Sequence, residues 1–189
     1  MSEKIIDLFI DKGLILKEEK ELFICALEQL IAYILNIFSM IIIGIIFKML
    51  FEAILFTLTY IPIRIYAGGY HSKTQFRCYI FSLIMLISVL LILNIDLLAN
   101  SILIILLTII AGFIIVLLAP VEDKNKPLDN IEIEVYTKRT LRNLFIIILI
   151  LSIFLILKKI NFSLCIAISL LCNAIMLILG KIKNYTKYK

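Results

Sequence analysis

Charge is what this chain has least of. Only 17% of its 189 residues are Asp, Glu, Lys or Arg, while 63% are hydrophobic; soluble domains run to roughly a quarter charged and about half apolar. With a mean hydropathy of +1.12, the chain reads as an integral membrane protein with little length left for a soluble domain. Histidine occurs once, and the four cysteines, Cys25, Cys78, Cys165 and Cys172, are scattered. Structural zinc needs four clustered ligands, so neither a metal nor a cofactor is expected. Three of the thiols sit in apolar runs, where a free Cys acts as a small hydrophobe. Cys165 and Cys172 are seven apart and can share a helix face, but neither has a His nearby and no disulfide framework emerges. A secretory signal is missing as well: the N-terminus opens on mixed charges, with no small-residue cleavage site after a short apolar run. No internal repeat is visible, which argues against an inverted-repeat transporter.

What is present is a series of apolar runs. Six spans fall at about 22–47, 50–66, 79–98, 99–119, 141–157 and 160–180, the second and fifth being short. Each must be helical, because the bilayer core offers the backbone no other partner. Before them, Ile5, Leu8 and Phe9 lie at helical spacing, with Glu3, Lys4, Asp7, Asp11 and Lys12 elsewhere on the wheel. That pattern predicts a short amphipathic surface helix ending near Gly13. The fold expected is an all-α membrane protein of about six transmembrane helices in one domain. Residues 1–21 form an amphipathic segment, 22–180 the membrane region and 181–189 a basic tail.

Basic residues orient the spans. With both termini in the cytoplasm, sixteen of the nineteen Lys and Arg face inward, leaving Lys48, Lys158 and Lys159 outside. The segment "RIYAGGYHSKTQFRCY", Arg64 to Tyr79, then lies on the cytoplasmic side.

That segment gathers most of the reactive side chains. Gly68 and Gly69 break the helix of the second span, helped by Pro62. Ser72 and Gln75 match a capping box, so a new helix starts at about Lys73. His71 precedes it and Cys78 lies inside it. Seven residues on one continuous helix would hold the two side chains about 10 Å apart; a loop folding back at the glycines can close that gap. An imidazole can take the thiol proton, and Arg77, Lys73 and the positive end of the helix favour the thiolate. The imidazole can later return the proton to a leaving amine. These are the parts of a cysteine acyl-transfer site, without a third residue to orient the imidazole. The alternative is an ordinary positive loop holding a buried thiol.

The pattern R-x3-G-G-x-H-x6-C, read as Arg64, Gly68, Gly69, His71 and Cys78, resembles the accessory gene regulator protein B (AgrB) family. A second match is "APVEDKNKPL", with Pro120 and Pro127 flanking a lysine-bearing loop, followed by "TKRTLR". The resemblance implies a membrane cysteine endopeptidase that cuts the acidic tail from an AgrD-like signalling propeptide. The new carboxyl end is then closed onto an internal Cys or Ser as a thiolactone or lactone. It implies His71 and Cys78 as the catalytic pair. Beyond the propeptide, the partners are membrane lipids, with a homodimer left open and no nucleic acid. The loop after Pro120 carries Glu122, Asp123, Asp129, Glu132 and Glu134 against five basic residues. It is therefore neutral, and "KIKNYTKYK" becomes the better partner for an acidic tail, or for anionic lipid. Two other classes compete: a peptide exporter binding anionic cargo through Arg64 and His71, and a membrane scaffold without chemistry.

Overall fold

The computed structural model describes residues 9–10, 19–70, 75–95, 100–122 and 128–186. Among them are six helices long and apolar enough to cross a membrane. They are α1 (Lys20–Ile46), α2 (Leu50–Ala67), α3 (Gln75–Leu93), α4 (Ser101–Leu118), α5 (Asn130–Ile156) and α6 (Ile160–Thr186). The all-α architecture expected from the apolar runs is the one observed. Of the N-terminal amphipathic helix, only Phe9 and Ile10 are described, and both are helical.

Two hairpins, α1–α2 and α5–α6, turn in the same way. At the first, Lys48 N–H donates to Ile45 O (3.0 Å) and Met49 N–H to Gly44 O (2.8 Å); at the second, Lys158 donates to Leu155 O (3.0 Å) and Lys159 to Phe154 O (2.9 Å). Both are Schellman closures, which satisfy the last carbonyls of a helix through one left-handed residue. Here that residue is a lysine, with φ 57 at Lys48 and at Lys158. The cation also complements the negative end of the helix dipole.

The central element is α6. Every residue from Ser163 to Leu170 is buried, as are Asn173, Ala174 and Leu177. It packs against one face of α4, built from Ile104, Thr108, Ala111 and Ile115, and against Ala53, Phe56, Thr59 and Ile63 of α2. Where lipid removes the hydrophobic drive between helices, polar contacts and small side chains take its place. Thr59 Oγ1 donates to Ser169 Oγ (2.8 Å), Asn173 Nδ2 to Tyr60 O (3.3 Å) and Cys165 Sγ to Glu52 O (3.3 Å). Asn173 is thus an interhelical tie, and Cys165 is a core residue with a satisfied thiol. The least buried of the six is α1, with 6% of its apolar window covered. It borders α2 and α3 and bonds Ser39 to Tyr79 Oη at 2.6 Å.

Three boundaries differ from the sequence reading. Pro62 does not help end α2: it lies inside the helix, and its carbonyl accepts Asn143 Nδ2 from α5 at 2.8 Å. Neighbouring helices make such a proline tolerable in a membrane span. The fifth helix starts at Asn130, so "TKRTLR" is helical and not loop. Its start is marked by Asp129 N–H donating to Glu132 Oε2 at 3.2 Å, half of a capping box. Lastly, α6 runs to Thr186, so most of the expected basic tail is helix and only residues 187–189 lie outside the described part.

Candidate active site

At the end of the bundle opposite the two lysine turns, three separate stretches of chain meet. α2 stops at Ala67 because Gly68 and Gly69 take φ 73 and φ 114, a region that side chains other than hydrogen disfavour. One turn earlier, Arg64 reaches forward over the break. Its Nη1 donates to Gly68 O and its Nη2 to Tyr70 O. A planar fork suits two carbonyls held at fixed separation.

The second stretch follows the cis Ala119–Pro120 peptide. Val121 N–H donates to Ala67 O (2.8 Å), and Gly68 and Val121 form an isolated parallel bridge. A β-carbon on Gly68 would run into Val121 O. The third stretch is the C-terminal part of α6. Tyr70 N–H donates to Met176 O at 2.8 Å, and Asn184 Nδ2 donates to Glu122 O at 2.9 Å. Gly180 lets the two backbones touch, since a β-carbon there would lie 2.6 Å from Gly69 C and 2.7 Å from Tyr70 N. The Tyr70 ring is flanked by Phe81 of α3, with centroids 6.0 Å apart, and by Lys183 Nζ, 5.1 Å from its centre.

Cys78 is the fourth residue of α3. Of Cys78, Cys165 and Cys172, it alone is exposed. Its thiol, Cys172 and the Arg64 guanidinium all lie within electrostatic reach of the Tyr60 hydroxyl. No acidic side chain occupies the first turn of α3. Of the residues singled out in the sequence, the structure brings together Arg64, Gly68 and Gly69, while Cys78 is exposed near the start of α3. His71, Ser72 and Lys73 lie outside the described residues, as does the side chain of Gln75; so do Lys124 and Lys126.

Two cations of the α5 basic cluster, Lys138 and Arg139, are already engaged. Lys138 Nζ donates to Glu134 Oε1 at 2.6 Å. Arg139 lies 5.1 Å from the centre of the Tyr66 ring and donates to its hydroxyl at 3.2 Å. The Tyr66 ring also meets Tyr136 edge-on at 5.9 Å. A hollow lined by Glu52, Lys158, Lys159 and Asn161 opens at the other end of the bundle, and its lining includes no cysteine, serine or threonine.

Sequence reasoning missed the α6 contribution, Met176, Gly180 and Lys183, as well as the role of Tyr70. The available signal was Gly180, a lone glycine in the apolar run "MLILGKIK".

Residues 2–177 match the family model described as accessory gene regulator B. The chain belongs to that family. It is also similar to putative AgrB-like protein 2 of Clostridium perfringens (strain 13 / Type A), with 31% identity over 117 residues, covering 59% of this chain and 55% of that protein. The match therefore spans about half the length of the curated relative. No solved structure matches the chain. Family membership and six membrane-length helices make it a multi-pass membrane protein.

Proposed function

We propose that the chain is a membrane cysteine endopeptidase that removes the C-terminal tail of an AgrD-like signalling propeptide and promotes ring closure, with Cys78 as nucleophile and His71 as general base and acid. The observation that carries this reading is the position of Cys78: an exposed thiol in the first turn of a helix, beside a backbone joint rigidly held just before residue 71. Family membership supports the substrate class.

The steps balance. His71 takes the Cys78 proton, a sulfur–carbon bond forms at the scissile carbonyl, and the carbon–nitrogen bond breaks as His71 returns the proton to the leaving amine. A thiol or hydroxyl within the propeptide then attacks the thioester, giving the ring and freeing Cys78. For a thiol this exchange is nearly isoenergetic. Water competes at that step, and a site at the boundary of protein and lipid limits it. The site and both termini face the cytoplasm, following the sixteen-to-three distribution of basic residues.

The exporter reading needs Arg64 free to bind anionic cargo. Both of its terminal nitrogens are instead engaged with Gly68 O and Tyr70 O, which favours the peptidase.

The deciding experiment is co-expression with the propeptide. With Cys25, Cys165 and Cys172 replaced by Ala, cleavage should persist, because Cys165 is a core residue and Cys172 is partly buried against the core. Cys78→Ala and Cys78→Ser should abolish it while still pulling down uncut substrate, and the wild type should accumulate a hydroxylamine-sensitive adduct. Cleavage by Cys78→Ala would end the peptidase reading in favour of export.

A further inference from the structure

Within α3, the half that bears Cys78 stands away from the core. None of residues 76–85 is fully buried, whereas Leu86, Val89, Leu90 and Leu93 are. A nucleophile on so thinly packed a turn needs something else to fix it, because positional errors of about 1 Å can cost on the order of 10²-fold in rate. Contacts from other elements reach this turn. One is Tyr79 to Ser39 at 2.6 Å, from the least buried helix. Another is Phe81, three residues beyond Cys78 and so a neighbour on the helix surface, against the Tyr70 ring.

Tyr70 is itself unusually well held. Its N–H is bonded to Met176 O, its carbonyl to Arg64, its ring lies under Lys183, and its backbone rests on Gly180. We infer that the end of α6 is a positioning device for the proposed nucleophile: Gly180 seats Tyr70, and Tyr70 sets the Cys78 turn of α3 through Phe81. Gly180 and Tyr70 are positioning residues; neither is assigned contact with substrate. This rests on the reading of Cys78 as nucleophile.

The geometry sets the size of the effect. Ordinary contact begins at 3.4 Å, so a β-carbon on Gly180, 2.6 Å from Gly69 C, displaces that backbone by about 0.8 Å. Alanine is the better helix former, so α6 itself is not weakened by the change. Gly112 is the control, since nothing lies within 4 Å of a β-carbon placed there.

The test uses the full chain in membranes with propeptide, at matched abundance. Gly180→Ala and Tyr70→Ala should each slow single-turnover cleavage about 10–100-fold, with propeptide pull-down unchanged. Tyr70→Phe keeps the ring and should stay within about threefold of wild type, and Gly112→Ala should match it. Because the two residues act as one unit, the double variant should be no worse than the slower single by more than about threefold. The rate at which N-ethylmaleimide labels Cys78 should change at least threefold in Gly180→Ala and Tyr70→Ala, a readout that needs no cleavage. Wild-type labelling and cleavage in both variants would overturn the inference, as would a Tyr70→Phe as damaged as Tyr70→Ala. If Gly180→Ala fails to reach the membrane, the Tyr70 pair decides. Failure of the underlying reading looks different: Cys78→Ala would then still cleave, whatever the joint variants do.

Discussion

Arg64 separates the two functional readings most sharply, because they assign it different work. In the structure its guanidinium bridges the carbonyls of Gly68 and Tyr70, holding the chain where α2 has ended. Hydrogen bonds to a charged group contribute about 1.5–3 kcal/mol each. Arg64 is half-buried, so water can replace part of that; for both bonds together we take about 2–3 kcal/mol. Every 1.4 kcal/mol is a factor of ten, so Arg64→Met should lower the population of the ordered joint by roughly 30–150-fold. Lysine keeps the charge but has one point of attachment where arginine has a planar fork. Arg64→Lys should therefore retain one bond at a time and lose about tenfold. The measurement is propeptide cleavage in co-expressing cells, normalised to the amount of protein in the membrane. An exporter that uses the charge to hold anionic cargo predicts the opposite ranking of Lys: near wild-type transport, with only Met defective. Wild-type cleavage by Arg64→Lys beside an inactive Arg64→Met would show that charge matters and the fork does not, refuting the clamp.

His71→Gln should insert normally and still bind propeptide while cleavage falls by about 10²–10⁴-fold, the usual cost of losing general acid–base help; unaltered cleavage at equal abundance would reduce His71 to a structural residue. A membrane-impermeant thiol reagent applied to intact cells should miss cysteines introduced at Arg77 or Lys181 and should reach one at Lys48; labelling at Arg77 or Lys181 from outside would invert the topology. In the seam between α2 and α6, Thr59→Val and Ser169→Ala should each lower stability by about 0.6 kcal/mol and by no more than about 1.7, read as the midpoint of denaturation in detergent. Because the hydroxyls are bonded to each other at 2.8 Å, the double variant should lose less than the two singles added together; strict additivity would show that the bond contributes nothing.

The spans are legible because lipid allows an apolar run one outcome, and the starts of five of the six agree with the structure to within four residues. The exception is instructive. Glu132, Glu134, Lys138, Arg139 and Arg142 depress the hydropathy of "NIEIEVYTKRTLR", so the fifth span was placed at 141, although the helix starts at Asn130. Hydropathy reports where a helix enters lipid; the Asp129–Glu132 cap reports where it begins, and it was there to be read. The same confusion left Lys181 and Lys183 in a tail when they belong to α6.

The site was half legible for a different reason. Arg64, Gly68, Gly69 and Cys78 lie close together in sequence, and their types stand out against Ile and Leu. The residues that hold them do not. Val121 and Met176 act through backbone N–H and C=O groups that any residue has, so no side-chain signature could mark them. Gly180 is visible as a glycine, yet what it makes room for, the backbone of Gly69 and Tyr70, lies 110 residues away. Arg64 could be seen to be charged, but only its bonds reveal that the charge is turned toward the protein's own carbonyls. That distinction bears directly on function. A cation aimed at its own backbone builds a rigid joint, whereas a cation aimed away from it would be free to hold cargo, and Arg64 does the first.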